Sequence, residues 1–191
     1  MSTDPLLVVI DMQEVFRDPR SPWATPGFDG LAEPIGRLVE SFSQRVVYTR
    51  FILPEHVVGS WSPYYETFAE VTDPGRASWF ELAEPYRSWA TSTVDKPAFS
   101  AWGSALARAG GQPVTIVLCG VATDCCVIST ALAAVDEGAF VRVAADACAG
   151  STPTAHEAAL SVMGGYTPQI EITSVDEELA GVGAEDRLAT P

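Results

Sequence analysis

VTIVLCGVATDCCVISTALAAVDEGAFVRVAA, residues 114–145, is the stretch that decides the fold. Residues 114–119 form a nearly unbroken apolar run, as in a strand covered on both faces. Residues 126–137 space their apolar side chains as a helix does. Gly138 stands where a helix ends in left-handed backbone, and residues 139–145 return to strand composition. Strand, helix and strand at this spacing predict a parallel β-α-β unit.

The same alternation continues on both sides. Upstream, residues 5–10 are a continuous apolar strand, 31–42 a helix, 45–52 a strand, 91–95 a shorter strand and 102–108 a helix. Downstream, Thr152 and Pro153 supply an N-cap and a first-turn proline for a helix through Met163. Residues 169–173 then read as a last strand and 175–179 as a short last helix. Six strands separated mostly by helices predict a three-layer α/β/α domain with a mostly parallel, Rossmann-like sheet. Residues 1–191 are read as one domain, with 53–90 an irregular aromatic-rich insertion and 182–191 a tail expected to fray.

Composition excludes several classes of function. At 191 residues and 47% hydrophobic content, the chain suits one globular domain. Eleven basic residues against 25 acidic ones leave a net charge of −14, which repels nucleic acid and anionic membranes. No apolar run reaches the ~18 residues of a membrane span. The opening MSTDPLLVVID has no basic n-region and reads as a core strand, not a secretory leader. A cytoplasmic location with reduced thiols follows as the expectation for Cys119, Cys125, Cys126 and Cys148. His56 and His156 are the two histidines, so a three-histidine zinc site is ruled out. No cofactor and no metal are expected, and the anticipated partner is a small-molecule substrate.

Open α/β sheets bind ligands at the carboxyl ends of their strands. Asp11 ends the first strand, Lys96 the third, and the loop to Cys126 follows the fourth. Lys96 is the single lysine of a chain that otherwise uses arginine. Lysine can work as a base when its pKa is lowered, which arginine effectively cannot. Cys126 opens a predicted helix, whose free N–H groups and dipole favour a thiolate and can hold an oxyanion. Adjacent Cys125 is its rival, and spacing alone does not choose between them. Cys119 and Cys148 read as buried small residues.

Other residues carry two readings each. Gln13 and Phe16 face the substrate or the first helix; Trp61 and Trp79 wall a substrate site or a subunit interface in a dimer or tetramer. Arg50 reads as an ion pair more than as a substrate clamp, His156 as a capping or packing residue, and Asp146 as a strand-end cap. A Cys–His site using His156, a Cys125–Cys126 redox pair and a catalytically silent binding domain are the competing readings.

DMQEVF at residues 11–16, KPAFSAW at 96–102 and GVATDCCVISTALAAVDEGAFVRVAADAC at 120–148 together resemble the isochorismatase-like cysteine hydrolases. That superfamily includes nicotinamidases and N-carbamoylsarcosine amidases, and the likeness spans residues 6–172. It implies an isochorismatase-type fold and a thioester-forming amidohydrolase. Its T-D-x-C-V pattern falls on residues 123–127, so the resemblance selects Cys126 as nucleophile, with Asp11 and Lys96 as partners. It also implies a cis peptide between Val121 and Ala122, with the Ala122 and Cys126 N–H groups forming an oxyanion hole. The D-x-H…H metal pattern of nicotinamidases is missing, since TRFILPEH holds only His56. The resemblance therefore points toward amide, carbamoyl or ureido substrates, with isochorismatase-type vinyl-ether cleavage as the alternative.

Overall fold

In the computed structural model, which describes residues 5–109 and 114–188, β1 (Leu6–Ile10) is buried along its whole length. Its five apolar residues leave no face for water, as expected of an inner strand with helices on both sides. Each such fully buried aliphatic side chain stabilises the fold by about 1.5–3 kcal/mol before entropy is charged against it.

A short helix α1 (Glu14–Arg17) follows, then α2 (Ala32–Phe42), whose Ile35, Leu38 and Phe42 point inward. β2 (Val46–Phe51) precedes the segment expected to be irregular. That segment is largely helical: it contains α3 (Trp61–Thr67), two 3-10 turns over Ala69–Thr72 and Pro74–Phe80, and α4 (Tyr86–Trp89). These pieces are too short to show a period, which is why the sequence pattern looked structureless. Tyr65, Trp79 and Tyr86 are buried in the chain's own core.

β3 (Thr93–Lys96) ends on Lys96 itself and is followed by α5 (Ser104–Ala109) and β4 (Thr115–Val121). The helix predicted from Cys126 begins later: Thr123–Val127 is a π-helical turn, and α6 runs over Ile128–Asp136. Gly138 (φ 86) closes α6, its N–H donating to the Val135 carbonyl while that of Ala139 reaches Ala134. β5 (Phe140–Ala149) is longer than the run 139–145, so Asp146 lies inside the strand rather than at its end. Its carboxylate accepts the Val175 N–H at 2.8 Å and so caps the last helix.

α7 (Pro153–Gly164) opens with the Thr152 hydroxyl accepting from Ala155 N–H, and β6 (Ile170–Thr173) completes the sheet. α8 spans Val175–Leu188, well past the predicted 175–179 and through most of the expected frayed tail; residues 189–191 lie outside the described ones. Its start is a capping box. The Ser174 hydroxyl accepts from Glu177 N–H and the Glu177 carboxylate accepts from Ser174 N–H, an S-x-x-E pattern that the sequence reading passed over.

The strand order is β3-β2-β1-β4-β5-β6, and every pairing is parallel. α2 packs on β1 and α8, while α6 and α7 pack on β5, giving the three layers. The chain reverses its direction of travel across the sheet between β1 and β4. A crevice therefore opens at their carboxyl ends.

Candidate active site

Gly120, near the end of β4, has φ +108, and a Cβ there would sit 2.2 Å from the Ile10 carbonyl oxygen. Only glycine lets β4 approach β1 this closely, which brings the turn after β4 beside Asp11. Asp11 follows Ile10 with φ 49, a left-handed conformation that a short polar side chain tolerates. Thr49 of β2 secures it: the Thr49 hydroxyl donates to Asp11 Oδ1 at 2.5 Å and accepts the Asp11 N–H at 3.1 Å. Thr49 is fully buried, and sequence reasoning missed it. A small polar side chain in the strand VVYTRF, level with Asp11 at the end of the first strand, was the available signal.

Lys96 joins the parts. Its Nζ lies 2.6 Å from Asp11 Oδ2, donates to Cys126 Sγ at 3.4 Å and to the Ala98 carbonyl at 3.0 Å. It also sits 5.1 Å over the Phe51 ring. Burial acts to lower the Lys96 pKa, but Asp11 and Cys126 together outweigh it, and the net direction is upward. Lys96 is thus a fixed ammonium, not the deprotonated base that a lowered pKa would have made of it.

The π-helical turn is held from three sides. Thr123 Oγ1 meets His156 Nδ1 at 2.8 Å, and Asp124 accepts from both the N–H and the hydroxyl of Ser151. The Thr130 hydroxyl donates to the Cys126 carbonyl at 2.7 Å and accepts the Ala101 N–H at 2.9 Å. His156 thereby positions the turn, in line with a packing role. Within the turn the Ala122 carbonyl accepts from the Cys125 and Val127 N–H groups, which flank Cys126. The Val121–Ala122 peptide is cis.

The helix-start argument anticipated a Cys126 thiolate, and the electrostatics run the other way. A hydrogen bond to Cys125, burial and the nearby Asp11 push the Cys126 thiol well above its ordinary value, against the pull of Lys96. Cys125, as the acceptor of that bond, is lowered despite its burial. Cys126 lies in a π turn with 3% of its surface accessible, so the bond to Cys125 and the desolvation of a charged sulfur outweigh what the start of α6 offers a thiolate. Cys119 and Cys148 are buried away from the site, and burial raises both, Cys148 to about 12.

Cys126 opens onto a cavity of about 260 Å³, near the lower end of small-ligand pockets. Phe16, Phe51, Tyr64, Phe68 and Phe99 form much of its wall, and Trp23 meets four of them with ring centroids 5.4–6.3 Å away. Ala122, Asp124, Cys125, Cys126 and Ser151 complete the polar side.

Of the four residues considered for substrate contact, Phe16 alone is among those lining this cavity. Gln13 is fully buried and committed to backbone: it donates to the Phe51 and Phe80 carbonyls at 2.9 and 2.6 Å and accepts from Phe51 N–H at 2.8 Å. Trp79 donates to Asp18 at 3.1 Å under the Arg76 guanidinium, and Trp61 stacks on Tyr65 and meets Phe99 at a tilt. Trp23 was missed, because PRSPWATPG carries no periodicity and a lone aromatic in a turn-rich stretch has no readable direction. Arg50 forms the anticipated ion pair, with Asp95 at 2.7 Å.

Among the described residues no group of three His, Cys, Asp or Glu side chains converges, and His56 is exposed. Also among the described residues, no helix is long and apolar enough to cross a membrane.

No curated protein matches the chain at a significant level. Solved structures do. A cysteine hydrolase from Pseudomonas syringae pv. phaseolicola 1448A superposes with a TM-score of 0.78 at 21% identity, over 94% of this chain and 92% of that one. The zinc complex of pyrazinamidase from Pyrococcus horikoshii gives 0.68 at 26% identity, over 89% and 98%. N-carbamoylsarcosine amidase from Thermoplasma acidophilum gives 0.69 at 23%, over 91% and 97%. The Isochorismatase domain model matches residues 5–176, from the first residue of the described fold to the opening turn of α8. With that span covering the whole sheet and every residue that meets at its carboxyl edge, the chain belongs to the isochorismatase family of hydrolases.

Proposed function

We propose that this protein is a cysteine-dependent amidohydrolase that cleaves the C–N bond of a small amide, carbamoyl or ureido compound through a thioester. One observation carries the reading. A buried ammonium, Lys96 Nζ, touches both the Asp11 carboxylate (2.6 Å) and the Cys126 sulfur (3.4 Å), and Cys126 faces a small cavity. Burying three reactive groups costs stability that a purely structural site has no reason to spend. The resemblance to amidases supports the choice of bond.

In this mechanism Cys126 rests as a thiol. As substrate enters, Asp11 accepts the thiol proton, and Lys96 offsets the charge that develops on sulfur. Sγ bonds to the carbonyl carbon, and the tetrahedral oxyanion is held by the Ala122 and Cys126 N–H groups. The C–N bond breaks, Asp11 returns its proton to the departing nitrogen, and ammonia or an amine leaves. Asp11 then takes a proton from water, whose oxygen attacks the thioester. The C–S bond breaks, the acid is released, and Asp11 restores the Cys126 thiol. Water is consumed and no redox partner is needed.

Replacement of the two adjacent cysteines tests the assignment. Cys126→Ser is expected to reduce kcat for ammonia release by about 1,000-fold or more, and Cys125→Ser by less than about 10-fold. Equal losses, or the opposite order, would remove Cys126 from the nucleophile's role.

A further inference from the structure

Among the described residues that line the cavity, not one carries a positive charge. The cation closest to the chemistry, Lys96, is buried and spent on Asp11, Cys126 and the Ala98 carbonyl. Asp124 is the single charged residue on the wall, and it is anionic. The opposite wall is aromatic, with Trp23 against Tyr64 and Phe68 at 5.9 and 6.3 Å. The whole molecule adds its net charge of −14. A carboxylate in this space loses its water and gains no partner, while an uncharged ring finds flat apolar surface.

We propose that the site selects amides whose remaining part is a single apolar or aromatic group, uncharged or cationic, and rejects substrates bearing a carboxylate. This rests on the amidohydrolase reading and narrows it: N-carbamoyl amino acids and other ureido acids fall outside the accepted class. Asp124 serves as the discriminating charge, repelling an anion and tolerating an ammonium. Its lone pairs are partly engaged by Ser151, so its effect is exerted through charge more than through a new hydrogen bond.

Three amides of matched size test it: benzamide, para-carboxybenzamide and para-(aminomethyl)benzamide. The wild-type protein is assayed for ammonia release, and binding is followed independently by tryptophan fluorescence. Benzamide and the aminomethyl compound are expected to exceed the carboxylate in kcat/KM by about 100-fold or more. In a folded Phe68→Arg protein, which places a guanidinium on the wall, that ratio should fall by at least ~10-fold. Parity between the three compounds, preference for the carboxylate, or a ratio unmoved by Phe68→Arg overturns the proposal. If no amide is hydrolysed, the binding arm still decides. Tighter binding of the uncharged and cationic rings sustains the selectivity and sinks the hydrolase reading instead. Equal or undetectable binding of all three sinks the selectivity as well.

Discussion

At the scale of single residues, the site turns on how three ionisable groups share one buried space. Lys96 keeps its proton because Asp11 and Cys126 repay the burial that opposes it. Lys96→Met leaves the fully buried Asp11 carboxylate without a cation, which typically costs about 3–5 kcal/mol. Urea unfolding should show that loss together with the collapse of ammonia release; a variant of unchanged stability would mean that the pair is not coupled as described. The cysteines make a second prediction. Because Cys126 is raised and Cys125 lowered, the thiolate appears on Cys125 first as pH rises, and on Cys126 only above the ordinary thiol range. Alkylation mapped by peptide mass spectrometry should therefore label Cys125 at lower pH than Cys126 in the ligand-free protein. Preferential labelling of Cys126 near neutral pH would show that Lys96 dominates its environment after all.

At the scale of elements, the site depends on two strands ending close together and on a turn braced from several sides. Gly120 permits the first of these, since its φ of +108 and the 2.2 Å approach to Ile10 forbid any side chain. Gly120→Ala is expected to destabilise the fold by at least ~2 kcal/mol and to lower activity even where the protein remains folded, because β4 must move from β1. A thermal melt and an activity assay on the soluble fraction check both parts; an unshifted Tm would remove the close approach from the argument. The brace around Thr123–Val127 has the same logic. His156, Ser151 and Thr130 come from α7, the loop after β5, and α6, so helix packing is transmitted to the cysteine.

For the molecule as a whole, several buried groups hold protons more tightly when folded. Burial raises Tyr48, Tyr64 and Tyr86, and Lys96 is raised by its partners. A raised folded-state pKa gives stability that is complete below the unfolded value and disappears as pH rises through the folded one. Cys119, Cys126 and Cys148 are raised as well. Cysteine titrates near pH ~8.5 and tyrosine and lysine near ~10 when unfolded, so stability should begin to fall above about pH 8 and fall steeply above about pH 10. Urea midpoints measured across that range test this, and a midpoint flat to pH ~11 would mean these groups are solvated in the folded protein.

What the sequence determined by itself was whatever depends on local pattern. Continuous apolar runs marked the inner strands β1 and β4, strand-like composition between helices marked the other four, Gly138 and Thr152 marked helix ends, and the strand ends at Asp11 and the lone lysine pointed to the carboxyl edge of the sheet. These are readable because strand, helix and cap preferences act over a few neighbouring residues. What tertiary structure decided was every property set by groups distant in the chain. It put Trp23 and Tyr64 around the cavity rather than Trp61 and Trp79, and it spent Gln13 on the backbone of Phe51 and Phe80. It turned the start of a helix into a π turn and reversed the direction of the Cys126 pKa. Direction within an aperiodic segment, and the dielectric around a buried thiol, come from what packs against them across 30 or more residues of chain, as Lys96 does on Cys126.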